Sequence, residues 1–176
     1  MTSRRTFIVA GLAGGAALTV ASLWRGRDAA PVSDPALQPL ARLGAAAPAI
    51  FAAIIPVVLD GALPEPRAER QAAIAETLAN VGTAIAGLPP AAQDELADLV
   101  ALLGFGPARL LLARVGPPWS DAGAAEIDAF LGRWRQSSFA LLRSAYDALH
   151  QIIFAAWYGN PRSWPAIGYA GPPPLG

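Results

Sequence analysis

Proline and glycine, 17 of each, are concentrated between runs of alanine, leucine, isoleucine and valine, and that placement confines the chain to helices joined by stiff turns. No stretch shows the alternation of β-branched and polar residues that a half-buried strand requires. The reading is therefore all-α: a compact irregular bundle of about five to six helices with an irregular Pro/Gly/aromatic tail.

The punctuation marks out the elements. A first helix is expected over Leu37 to Leu59, with Pro48 and Pro56 as kinks or boundaries. Its Ala49–Ile55 half has no polar face and should be the central buried helix. Pro66 sits at the first turn of a helix running to about Ala86, with Ile74, Leu78, Val81 and Ile85 on one side and Gly87 ending it. Pro89 and Pro90 open the next, whose Leu96, Leu99, Val100 and Leu103 share a face, while Asp94, Glu95 and Asp98 form a solvated first turn.

After the Gly104–Pro107 break, a short apolar helix is expected from Ala108 to Val115, followed by a rigid turn through Trp119. Ser120 or Asp121 would cap a helix carrying Ile127, Phe130, Leu131 and Trp134. The last helix has its apolar stripe at Phe139, Leu142, Tyr146, Leu149, Ile153 and Ala156 or Trp157, with Arg143, Asp147, His150 and Gln151 opposite.

The beginning of the chain reads as an address. Arg4 and Arg5 are followed by Thr6 and Phe7, and the 18 residues from Thr6 to Leu23 carry no charge. Paired arginines before a soft Gly/Ala-rich apolar segment mark the twin-arginine export route to the periplasm. A retained anchor is the other reading, since 18 residues is at the lower edge of what crosses a hydrocarbon core of about 30 Å. Small residues at Thr19-Val20-Ala21 offer a cleavage point, although no Ala-x-Ala precedes Arg25. The chain then divides into a signal segment 1–28, a linker 29–36, a helical domain 37–158 and a tail 159–176.

Composition bounds the rest. With 54% hydrophobic and only 15% charged residues, there is little charge to cover the surface, so some apolar surface is expected to meet a partner. Thirteen arginines balance thirteen carboxylates; without Arg4 and Arg5 the remainder is slightly acidic, which argues against nucleic acid or an anionic membrane as ligand. Contact with a membrane is then expected only in transit or through an uncleaved leader. Cysteine is absent, which removes thiolate metal sites and disulfides.

Chemistry-bearing constellations are sparse. His150 follows Asp147 by one turn, and Ser144 or Ser138 could be drawn as a nucleophile, but all four lie near one helix and do not converge as a triad must. Asp94, Glu95 and Asp98 lack the oxygen-rich loop of a hard-cation site, and no glycine-rich phosphate cradle follows a strand. No catalytic, metal or cofactor-binding residues are assigned. Aromatics carry the remaining signal: Trp134, Phe139 and Tyr146 are expected in the core, whereas Trp157, Tyr158, Trp164 and Tyr169, with Arg162, suit a partner interface.

The string Phe154-Ala155-Ala156-Trp157-Tyr158-Gly159-Asn160-Pro161-Arg162-Ser163-Trp164-Pro165-Ala166-Ile167-Gly168-Tyr169-Ala170-Gly171-Pro172-Pro173 resembles the ending of the gluconate 2-dehydrogenase subunit 3 group and of the small subunit of sorbitol and fructose dehydrogenases. Members likewise begin with a twin-arginine leader, and Ile55-Pro56 with Gly61-Ala62-Leu63-Pro64 is similar to their early helix and its end. The resemblance implies a non-catalytic subunit. It would bind a FAD-dependent dehydrogenase of the glucose-methanol-choline type, which has no signal of its own, and present the pair to the twin-arginine translocase. The chain itself would bind no cofactor, FAD belonging to the partner. An independent exported helical binding or envelope protein is the alternative.

Overall fold

The computed structural model describes residues 34–172. The expected signal segment with Arg4, Arg5 and Phe7, most of the expected linker and the last four residues lie outside the described residues. Those described form an all-helical structure with one hydrophobic core and no strand.

A 3-10 turn over Pro35–Leu37, capped by the Asp34 carboxylate on the Ala36 amide, leads into α1 (Gln38–Ala41) and then α2 (Ala47–Val58). The single helix expected over 37–59 is thus split. Gly44 has φ +137°, a conformation that other residues rarely adopt, and it turns the chain between the two pieces. Pro48 falls in the first turn of α2, where its missing N–H costs nothing. Pro56 stays inside α2, two residues from its end, and the carbonyl it leaves unmatched belongs to the exposed Ala52. Ile50, Phe51, Ile54 and Ile55 are fully buried, and α2 touches α1 and each of the long helices below, so it is the central helix as expected.

α3 (Arg67–Ala86) starts after Pro66, which acts as the N-cap residue, and stops at Gly87. Ala73, Thr77, Leu78, Val81, Gly82 and Ile85 face inward at helical spacing, with the Thr77 hydroxyl donating to the Ala73 carbonyl at 2.7 Å. Gly82 lets α1 cross closely: a Cβ there would lie 3.0 Å from the Leu40 amide nitrogen. The Gln93 amide ties the α3–α4 turn by donating to the Leu88 carbonyl at 2.8 Å.

α4 (Pro90–Gly104) buries Leu96, Val100 and Leu103. The extended Phe105 then bends the chain by 82° into α5 (Gly106–Ala108), which runs into a π-helical turn over Arg109–Ala113. The apolar helix expected to reach Val115 is therefore cut short, because Arg114 takes a left-handed conformation at φ 53°. No single helix among the described residues is long and apolar enough to cross a membrane.

α6 (Ala124–Arg135) begins later than expected. Asp121 donates its amide back to the Pro118 carbonyl, which closes a turn there instead of capping a helix, and Gly123 becomes the N-cap residue. Having no side chain, Gly123 makes only half of a capping box: its amide donates to Glu126 Oε2 at 3.3 Å. α7 (Ala140–Tyr158) closes the core by packing on α3 and α6. Trp119, Phe130 and Trp134 meet edge to face, with centroids 5.8 and 4.7 Å apart, and the Trp119 indole donates to the Leu103 carbonyl at 2.9 Å.

Phe139 corrects the predicted stripe. It precedes α7 in an extended conformation and is 69% exposed, so the buried face of α7 starts at Leu142. Beyond Gly159 the tail makes two short 3-10 turns, Pro161–Ser163 and Pro165–Ile167, each with a proline in its first turn.

Candidate interaction surfaces

The tail is fixed to the body through one carboxylate. Glu76 on α3 accepts from the Asn160 side-chain amide at 2.7 Å and pairs with Arg162 at 2.7 Å. Asn160 meanwhile caps the first 3-10 turn through the Arg162 amide, and Ser163 is buried with its hydroxyl donating to the Asn160 carbonyl. Further out, the Trp164 indole donates to the Tyr158 carbonyl at 2.9 Å, and its ring meets Tyr169 edge to face at 5.2 Å. Gly171, at φ +98°, lies against the Trp164 ring.

The five residues expected at a partner interface therefore separate. Trp157 is 3% exposed and belongs to the core, because the α7 stripe that buries Leu149 and Ile153 continues through it. Arg162 is engaged by Glu76, and Trp164 is half-buried within the tail itself. Tyr158 and Tyr169 remain open to solvent, together with Ile167, which sequence reasoning placed in the tail without assigning it to the interface.

Glu76→Ala is expected to release the tail. Both contacts are partly exposed, so the cost is about 1 kcal/mol, but trypsin should cut after Arg162 much faster than in the parent chain. Unchanged cleavage would mean that Ser163 and the Trp164–Tyr158 bond hold the tail unaided.

A second surface lies between α4 and α7. These helices splay to leave a cleft of about 700 Å³, walled by Leu96, Leu99 and Leu102 on one side and Leu141, Ala145, Ala148 and Ile152 on the other, with Trp134 at its floor. Its polar side chains are Glu95, Asp98, Ser144 and Gln151. Leu141 is 79% exposed, and Phe139 precedes it by two residues. The cleft was not anticipated, although a signal exists in the sequence. Positions 141, 145, 148 and 152 form a second apolar stripe on α7, and 92, 96, 99 and 102 a matching one on α4, edged by Glu95 and Asp98.

His150 lies on the other flank of α7. Its imidazole stands between the rings of Tyr146 and Phe154, with centroids at 5.3 and 4.1 Å, and Tyr158 continues the ladder. Ser144 faces the cleft instead, and Asp147 is exposed. The arrangement gives His150 aromatic neighbours rather than a nucleophile. Among the described residues, no three of Asp, Glu and His gather into a group that could hold a metal ion.

Compared with models of protein families, with curated proteins and with solved structures, the chain finds no match. What fold and surfaces define is a helical domain with an apolar cleft and a pinned aromatic tail.

Proposed function

We propose that this chain is a non-catalytic small subunit that binds a FAD-dependent dehydrogenase of the glucose-methanol-choline type and escorts it through the twin-arginine pathway to the periplasm. The observation that carries the reading is the apolar cleft between α4 and α7, with the exposed Leu141 in its wall. A folded chain gains by covering such a surface, and an amphipathic helix of a partner fits a groove of this form. The tail supplies Tyr158 and Tyr169, residue types that anchor interfaces, on a base made firm by Glu76. Arg4 and Arg5 would then address two chains at once, since a flavoprotein folded around FAD needs a route that accepts folded cargo.

The test is co-expression with a signal-less flavin oxidoreductase encoded beside this chain. Periplasmic FAD should appear with the parent chain and disappear when Arg4 and Arg5 are both changed to Lys. Periplasmic flavin that persists in the double variant, or a periplasmic pull-down without flavoprotein, overturns the proposal. The cleft also supports the alternative of an exported binding module, because its volume lies in the range of small-ligand pockets. An isolated reading frame, and a ligand that co-purifies with the chain alone, would favour that reading.

A further inference from the structure

Leu110, Leu111 and Leu112 are consecutive, and they are 52%, 77% and 42% exposed. Three adjacent leucines in water are costly for a turn that could hide one of them by a small rotation. This turn is prevented from doing so. Ala113 and Val115 behind it are fully buried, and the Val115 amide closes back on the Arg109 carbonyl at 3.2 Å. From α6, the Trp134 indole donates to the Leu112 carbonyl at 3.1 Å and Arg133 Nη2 to the Ala113 carbonyl at 2.6 Å. Arg109 Nη2 reaches the Gly116 carbonyl at 3.4 Å, and Arg114 ends the turn in its left-handed conformation. The leucines are thus held outward by a turn that closes on itself and is tied to α6 through Trp134 and Arg133.

Arg109 and Arg114 bracket the leucines in sequence, and Arg133 reaches the base of the turn. Arg109 and Arg133 are turned inward on the Gly116 and Ala113 carbonyls with their Nε atoms buried, which leaves Arg114 as the exposed cation of the turn. Glu126 comes near that base at Gly116, on the side away from the leucines in sequence. The near-zero net charge that argues against an anionic membrane is an average over the whole chain, and it does not describe this corner. A projecting apolar tip with an exposed guanidinium beside it matches the boundary of an anionic bilayer, where acyl chains lie beneath negative headgroups. It is also unlike the concave cleft, which suits a helix.

We propose that the Leu110–Leu112 turn is a membrane wedge: its leucines enter the acyl boundary of an anionic phospholipid surface while the exposed Arg114 meets the headgroups. The π-helical turn, the left-handed Arg114 and the two donors from α6 present the wedge. It lies on the surface and does not span, because the α4 and α5 segments meet at 82° and α4 buries its inner face in the core. The proposal does not depend on the escort function.

Since the chain has no cysteine, a single introduced one carries a unique label. Full-length Leu111→Cys and, as a control on the solvent face of α3, Ala72→Cys are each labelled with a nitrobenzoxadiazole dye. They are mixed with phosphatidylcholine vesicles with and without phosphatidylglycerol, carrying lipids with a spin-label quencher. The dye at position 111 should shift to the blue and be quenched on the anionic vesicles, while the dye at position 72 remains in water. Adding Arg114→Asn, which tolerates the same backbone conformation, should weaken the preference for phosphatidylglycerol; Leu110→Glu should lower vesicle affinity roughly tenfold or more. A chain that binds vesicles while the dye at 111 stays aqueous is held by its leader, and the proposal fails. It also fails if the dye is shielded without lipid as concentration rises, which would make the turn a contact between copies, or if no vesicle binding occurs.

Discussion

Phe51→Ala is expected to lower the stability of the domain by about 3–5 kcal/mol, seen as a fall in melting temperature on the order of 10 °C and a lower urea midpoint at unchanged slope. Phe51 is fully buried on the helix that every other long helix touches, so no neighbour can close the void without moving another. Folded domains are stable by only about 5–15 kcal/mol, and this chain has neither disulfide nor metal cluster among its described residues to offset the loss. A drop below about 1 kcal/mol would show that α2 is not the packing centre.

Trp134→Ala should cost as much, about 3–5 kcal/mol, but with a different local signature. The ring fills space beside Phe130 and floors the cleft, while its indole N–H holds the Leu112 carbonyl. Trp134→Phe separates the roles: it keeps most of the ring and leaves one carbonyl without its donor, at about 1–2 kcal/mol. Hydrogen exchange at the Val115 amide should accelerate in both variants, because that amide closes the turn which Trp134 steadies. Normal protection at Val115 in the phenylalanine variant would mean that Arg133 alone suffices to hold the turn.

The fold was largely legible because proline and glycine act locally. Pro66, Gly87 and Pro90 bound helices for reasons contained in their own backbones, and the structure ends or begins helices at or beside each. The errors arose where a local preference had to compete. Asp121 is a good cap by residue type, but the chain turns at Pro118–Asp121 and the helix begins three residues later, with Gly123 at the cap position. Gly44 lies within the range 37–59 expected as one helix, but at φ +137° it turns the chain between α1 and α2.

Side-chain environment was less legible. Phe139 and Trp157 carry equal hydrophobic promise, and they exchanged places: the expected core residue is exposed, and the expected interface residue is in the core. A helical stripe tells which residues share a face but not where the helix begins, and one residue outside the first turn escapes the stripe. The cleft was invisible for a related reason. Each of its walls reads as the flank of a buried stripe, and only the splay of α4 from α7, a property of packing, opens the space between them.

The central position of α2 has a consequence in time. Val58 ends that helix, and the α7 helix that closes the core is complete only at Tyr158, one hundred residues later. At ordinary synthesis rates that interval is about 5–20 s, during which Ile54 and Ile55 have been made but part of their cover has not. Residues 1–28, the leader in the proposed escort function, are made before either. Under that proposal the arginines at positions 4 and 5 are on offer well before the body behind them can be finished, and the order of synthesis gives any partner that covers apolar surface a period in which to arrive.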